Sequence, residues 1–230
     1  MSKRLFTLAA LATAAALPAH ADTLALWDFN DGNLTVDVGA GTASVLGTTS
    51  SFVSGAGSTD PAVTPDQAWS STSYPAQGTG DKTEGVVFAV STLGYDSIML
   101  SFDNRQSNTA SKYLQVQYTL DGSSFVDAPA GLFAASGGGV WNNSNMVNLG
   151  AVAGVANNAN FAVRIVTTFE PSTSAYATAA VGASYGTSGT VRYDMVAFAG
   201  NVISAVPEPG TTALLLAGLM AVGFVSRRRA

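Results

Sequence analysis

The chain has no cysteine and a single histidine, His20, and charged residues make up only 11% of it. Without cysteine there is no disulfide framework, so a domain of this composition is held together by core burial alone. His20 lies in an N-terminal segment that is expected to be discarded. The remainder therefore lacks the residues for a Ser-His-Asp triad, a Cys-His pair, or a zinc site built on His or Cys. Glycoside hydrolysis needs only two carboxyl groups. Between residues 22 and 205, however, the only glutamates are Glu84 and Glu170, both in loop-like contexts, and no acid sits in a catalytic constellation. A domain that is not an enzyme is expected. There is also no phosphate-binding glycine motif joining a strand to a helix, and no internal repeat.

What the chain does have is a distinctive segment at each end. Lys3 and Arg4 precede an apolar run from Leu5 to Leu17, and Ala19-His20-Ala21 places small residues at the two positions a signal peptidase inspects. Residues 1–21 thus read as a signal peptide cleaved after Ala21, leaving Asp22 first. At the other end, Val206-Pro207-Glu208-Pro209 is followed by an uncharged run from Thr211 to Val225 and then by Arg227-Arg228-Arg229. The prolines fix φ and disfavour helix, so this short motif is expected to be extended. The apolar run is greasy on every side, which suits a single hydrophobic helix in lipid better than an amphipathic core helix. At fewer than the roughly 20 residues that normally span a bilayer it is a marginal anchor, and the arginines would hold its end cytoplasmic. An ordinary C-terminal membrane tail or a buried helix is the plainer alternative. The order of the three features closely resembles the PEP-CTERM sorting tail of Gram-negative bacteria. That resemblance implies recognition and cleavage of residues 206–230 by an exosortase, transient membrane anchoring, and delivery to the cell envelope surface or extracellular matrix. It also implies association with exopolysaccharide and biofilm.

Residues 22–205 form the exported region. Five basic and fourteen acidic residues give it a net charge of −9, which argues against nucleic acid or anionic lipid as a partner. Twenty-four glycines in the chain and abundant Ser, Thr and Asn describe a loop-rich β protein. A first strand is expected over 24–29, stopped by Asn30-Asp31-Gly32-Asn33. One or two short strands are expected within 39–80. Alternation is cleanest in the middle, where Ile98, Leu100 and Phe102, then Leu114, Val116, Tyr118 and Leu120, occupy every second position. Tyr95-Asp96 reads as a turn, Asp121-Gly122 as a hairpin turn before Phe125-Val126, and the stretch from Gly137 to Asn143 as irregular. Strands are expected again around Phe161 to Ile165 and from Thr190 to Ala199. Half-buried antiparallel strands need a second sheet to cover them, so the expected fold is an all-β antiparallel sandwich. The segments 85–91, 94–102, 114–122 and 190–196 together resemble the jelly-roll modules of secreted bacterial surface proteins and, distantly, carbohydrate-binding modules.

Two sets of candidate site residues follow. In jelly rolls of that kind the first and last strands commonly lie side by side with a structural calcium between them. The resemblance thus implies a site at Asp28, Asp31 and Asp194, with Asn30 and Asn33 as further oxygen donors; the alternative is a simple turn at 30–32 and an Asp194 paired with arginine. The second set is the aromatic residues on polar stretches, Trp69, Tyr74, Trp141, Tyr176 and Tyr185, which either plug the end of the sandwich or stack on a sugar. The leading expectation is a surface or matrix protein, with a carbohydrate-binding, calcium-dependent module as the alternative. Replacing Pro207 and Glu208 by alanine should leave the tail unprocessed and the protein in the membrane fraction; cell fractionation showing identical processing would contradict the sorting role.

Overall fold

The computed structural model describes residues 21–62, 64–203 and, towards the C-terminus, 215, 216, 218–220 and 227. Ala19, the 206–209 motif, Arg228 and Arg229 lie outside the described residues, as does most of the signal peptide. Residues 215, 216, 218–220 and 227 are helical; among the described residues no helix is long and apolar enough to cross a membrane.

The alternating stretches become twelve strands: β1 (Ala21–Trp27), β2 (Val38–Gly39), β3 (Thr42–Leu46), β4 (Thr49–Ser54), β5 (Gln67–Thr72), β6 (Gly85–Ala89), β7 (Tyr95–Gln106), β8 (Tyr113–Thr119), β9 (Val126–Ala134), β10 (Trp141–Asn148), β11 (Ala162–Thr168) and β12 (Val191–Val202). They form two antiparallel sheets. One runs β3-β6-β11-β8-β9. The other runs β10-β7-β12-β1-β2, with β5 also paired to β12 and β4 to β5. The long β12 is the axis of this larger sheet: its whole length lies against β7, its start against β5 and its end against β1. The first and last strands are therefore neighbours.

Period-2 patterning explains the sandwich. Along β7, Ile98, Leu100 and Phe102 are buried while Met99, Ser101 and Arg105 are only partly so, as expected for a strand with one face on a core. The two inner faces meet in a layer of aromatic rings. Phe88 of the smaller sheet lies 5.2 Å from Trp27 and 5.9 Å from Trp69, both of the larger one. These three side chains are fully buried.

Four local expectations are corrected. Tyr95 and Asp96 do not turn the chain; they pair with Val202 and Asn201 at the start of β7. The stretch Gly137–Asn143 is not wholly irregular, because Trp141 opens β10 against Arg105, with a register shift between Asn142 and Asn145 that breaks the alternation. Ordered chain also continues beyond Ala128 as β9, paired to β8. The 39–80 region holds parts of four strands rather than one or two, its Ser- and Thr-rich β5 being drafted into the sheet by pairing to β12 and β4 by pairing to β5, an override of weak local propensity.

Phe88→Ala should lower the unfolding free energy by about 3–5 kcal/mol through the cavity left between the sheets, whereas Leu93→Ala, at a half-exposed position, should change it by less than about 0.5 kcal/mol; equilibrium urea unfolding measures both.

Candidate metal centre

On the outer face of the larger sheet, two aspartates lie directly opposite each other at the centre: Asp103 of β7 and Asp194 of β12 are cross-strand partners. Both are buried, at 1% and 0% exposure. The cover is the 55–66 loop between β4 and β5. Asp103 is fully satisfied by it and by β10. Its Oδ2 accepts from the Thr59 backbone N–H at 2.5 Å and Oγ1 at 2.7 Å, and its Oδ1 from the Ser144 N–H at 2.6 Å.

Asp194 is in a different state. Its Oδ1 accepts from the Met195 N–H at 2.8 Å, but its Oδ2 is buried with no hydrogen-bond partner, and so is Oδ1 of Asp66. Such orphaned oxygens are costly to bury. One carboxylate oxygen each from Asp60, Asp66 and Asp194 lie within 4.8 Å of one another. Gly55 closes the cradle, since a Cβ there would stand 2.3 Å from Oδ1 of Asp66 and 2.7 Å from Oδ2 of Asp194. Oxygens bound to one calcium at about 2.4 Å can be at most about 4.8 Å apart, so these residues fit a hard divalent cation. Burial pushes the Asp194 carboxyl up to about 7 against the lowering pull of the Ser58 hydroxyl and the Met195 N–H, and the charges of Asp60 and Asp103 add to the rise.

Local backbone aims these groups. Met195 has φ of 47°, and the register shifts between Asp194 and Ala197, a bulge that turns the strand where the carboxylate must face the loop. A matching shift on β10 carries Ser144 at φ of 56° to Asp103. Asn30 ties the loop to the chain after β1: its Nδ2 donates to Oδ2 of Asp60 at 2.7 Å, and its Oδ1 and backbone carbonyl accept from Gln67 at 2.9 Å each. Asp60 also accepts from the Ala62 N–H through Oδ1.

The expected companions of Asp194 are thus corrected. Asp28 is not in the cluster; its Oδ1 caps the Asn30 N–H at 3.0 Å, and its own N–H donates to Asp37. Burial raises the Asp37 carboxyl; the Asp28 N–H works against this, and the Asp28 side chain adds to it. Asp31 is exposed on the turn and also stands apart, while Asn33 serves the Thr35 N–H. The pairing of Asp194 with an arginine is absent among the described residues, where the ion pair present is Lys82 to Asp127. Asp60 and Asp66 were missed because they sit in a Gly-, Ser- and Pro-rich stretch, far from Asp194 in sequence. The one sequence signal was two aspartates six residues apart in a loop otherwise poor in charge.

The aromatic candidates divide. Trp69 is fully buried between Phe29, Phe88 and Tyr193. Tyr74 is buried against Ser71, its Oη 2.5 Å from the serine Oγ, and its phenol is pushed up to about 12 by desolvation. Tyr176 is buried too, donating to the Thr79 and Gly80 carbonyls. These three are core residues and not sugar platforms. Tyr185 stacks on Tyr176 at 4.5 Å and donates to the Pro75 carbonyl; it is half-buried. Trp141, at the start of β10, is half-buried against the 55–66 loop, its Nε1 donating to the Ala56 carbonyl at 2.9 Å while Asn143 donates to that of Gly57 at 3.0 Å.

Comparison with known families settles the C-terminus. The profile of the PEP-CTERM protein-sorting motif matches residues 205–229. The tail is a PEP-CTERM sorting motif. It marks an exported protein, anchored through its C-terminus and then processed, and therefore an exosortase-sorted protein of the cell surface. No curated protein matches the chain. Among solved structures, the tandem CBM22-1-CBM22-2 domains of Paenibacillus barcinonensis Xyn10C are similar at 11% identity and a TM-score of 0.45, over 85% of this chain and 50% of that one. This chain thus spans half the tandem's length. The CBM22-1 xylan-binding domain alone gives 10%, 0.44, 83% and 100%. The K1 cleaved adhesin domain of Lys-gingipain from Porphyromonas gingivalis W83 gives 12%, 0.41, 79% and 97%. Identities this low say nothing about what this chain binds.

Calcium should raise the thermal midpoint by on the order of 5 °C or more, chelator should reverse the rise, and Asp194→Asn should remove the response. In the cation-free protein the folded Asp194, near 7, keeps a proton that the unfolded chain, near 3.8, has lost. Stability without cation should therefore fall as the pH rises from about 4 to about 7, and a midpoint indifferent to both calcium and chelator would count against the site.

Proposed function

We propose that this exosortase-sorted domain is a non-catalytic surface module that holds extracellular polysaccharide, with a structural calcium ion bound by Asp60, Asp66 and Asp194. The observation that supports it is the coupling of the acidic cradle to Trp141. The same 55–66 loop that carries Asp60 and Asp66 receives the indole N–H and the Asn143 amide, so a bound cation would order the seat of the one indole that is not fully buried. The ion would supply charge neutralisation and loop rigidity, as structural calcium does elsewhere. Trp141 would supply an amphipathic face for a sugar ring, and the asparagines of β10 would supply polar partners.

A second reading has its own support. Burial of Trp69, Tyr74 and Tyr176 removes three of the five aromatic platforms expected from sequence, which favours a spacer of the surface matrix or biofilm without a specific ligand. The two readings separate in a pull-down of the full chain, in mild detergent, on purified exopolysaccharide and a panel of insoluble glycans. Saturable retention lost with chelator and weakened in Trp141→Ala supports the binding module; no retention on any glycan leaves the matrix role.

A further inference from the structure

Arg105 of β7 and Arg192 of β12 are direct cross-strand partners, one step along the sheet from the buried aspartates. Like charges set directly opposite each other work against the fold. Partners of opposite sign are plentiful in a region with fourteen acids, yet among the described residues neither arginine makes an ion pair. Between residues 22 and 205 the other three cations are engaged: Lys82 with Asp127, Lys112 over the Tyr113 ring at 5.7 Å, and Arg164 over Phe125 at 4.5 Å with its Nε on Gln117. The two guanidinium groups are instead held by backbone. Arg105 Nε donates to the Gly139 carbonyl at 2.7 Å and Arg192 Nη1 to the Ser54 carbonyl at 2.9 Å. One donor of five is committed in each, which fixes the planes and keeps the rest of each fork for another group.

Both arginines front a cavity of about 340 Å³ whose other walls include Ser107, Asn108, Thr109 and Thr190. That is a size at the low end of small-ligand sites, and its lining is polar and uncharged apart from the two cations. Burial lowers the Arg192 side chain from its ordinary value, and the charge of Arg105 adds to this. An anion would relieve the repulsion. On the far side of Arg105, its other cross-strand partner is Trp141, so an aromatic ring and two guanidinium forks share one face of three adjacent strands.

We propose that this cavity is a carboxylate subsite that takes a uronic acid residue of an acidic polysaccharide. The proposal rests on the glycan-binding reading above and narrows its substrate class. Paired forks suit a planar, two-oxygen anion, and hydroxyl and amide walls suit sugar hydroxyls. The net charge of the region repels polyanions at a distance, so selectivity must come from contact at this pair and not from long-range steering.

The test is titration calorimetry of the full chain, in detergent and at fixed calcium, with short oligogalacturonate, its carboxyl-reduced neutral form, xylan oligosaccharides and dextran sulfate. The proteins compared are the wild type, Arg105→Gln, Arg192→Gln and the double variant. Oligogalacturonate should bind, and carboxyl reduction or either substitution should weaken binding by about tenfold or more. The ligand-free thermal midpoints of the variants should be unchanged or higher, because a like-charge pair has been removed. Acidic and reduced sugars binding equally, or substitutions without effect, would overturn the uronate site while leaving glycan binding in place. Preference for dextran sulfate would overturn the carboxylate assignment. Binding to none of the sugars would overturn both readings together.

Discussion

The outer face of the larger sheet is arranged around two buried carboxylates of like charge, Asp103 and Asp194, set directly opposite each other on its central strands. A pair of this kind is tolerated only if each charge is neutralised or hydrogen-bonded. Asp103 is answered within the chain by Thr59 and Ser144. Asp194 is answered on one oxygen only, and its other oxygen converges with Asp60 and Asp66. The 55–66 loop is thus held to the sheet by its donors to Asp103, and it brings Asp60 and Asp66 to the unpartnered oxygen of Asp194.

From that constraint the rest of the face follows. The bulges at 194–197 and 142–145 bend β12 and β10 where the carboxylates must meet the loop. Trp141 is seated on the loop it shares with the cradle, and Arg105 and Arg192 occupy the next pair along the same two strands. Acidic and basic pairs therefore stand one behind the other on a single face, without neutralising each other by an ion pair. The outward face of this sheet thus carries its charged pairs, whereas the inner face, packed with Trp27, Phe88 and Trp69, provides the rigidity.

Much of the fold was legible before the structure, because strand alternation is a local property. The β7, β8 and β11 patterns, the Asp121-Gly122 hairpin and the need for a covering sheet are all written in residues within reach of one another. The Asn-rich start of β10 was not legible, since a bulge erases the period on which the reading depends. Nor were β2 to β5, short segments that become strands only beside their sheet neighbours: β2 beside β1, β3 beside β6, β5 beside β12 and β4 beside β5. At the site, Asp194 was readable as a carboxylate on the last strand, but its companions were not. Asp28 followed from the jelly-roll resemblance, which sets the first strand beside the last, while Asp60 and Asp66 arrive by a loop folded over the sheet. The aromatic candidates show the same limit: a ring on a polar stretch reads alike whether it ends in the core, as Trp69 does, or at the surface, as Trp141 does.

The sequence by itself determined where the protein goes and what kind of chemistry it lacks. A sorting motif is recognised as a contiguous string, and an inventory without cysteine and with one histidine, His20, near its N-terminus excludes a Ser-His-Asp triad, a Cys-His pair and a zinc site built on His or Cys from residues 22–205 whatever the fold. Tertiary structure alone decided which acids share a cradle, which arginines oppose each other and which aromatic rings stay near solvent. Those relations join residues far apart in the chain, Asp66 to Asp194 across 128 positions and Arg105 to Arg192 across 87, and only strand register and loop closure bring them together.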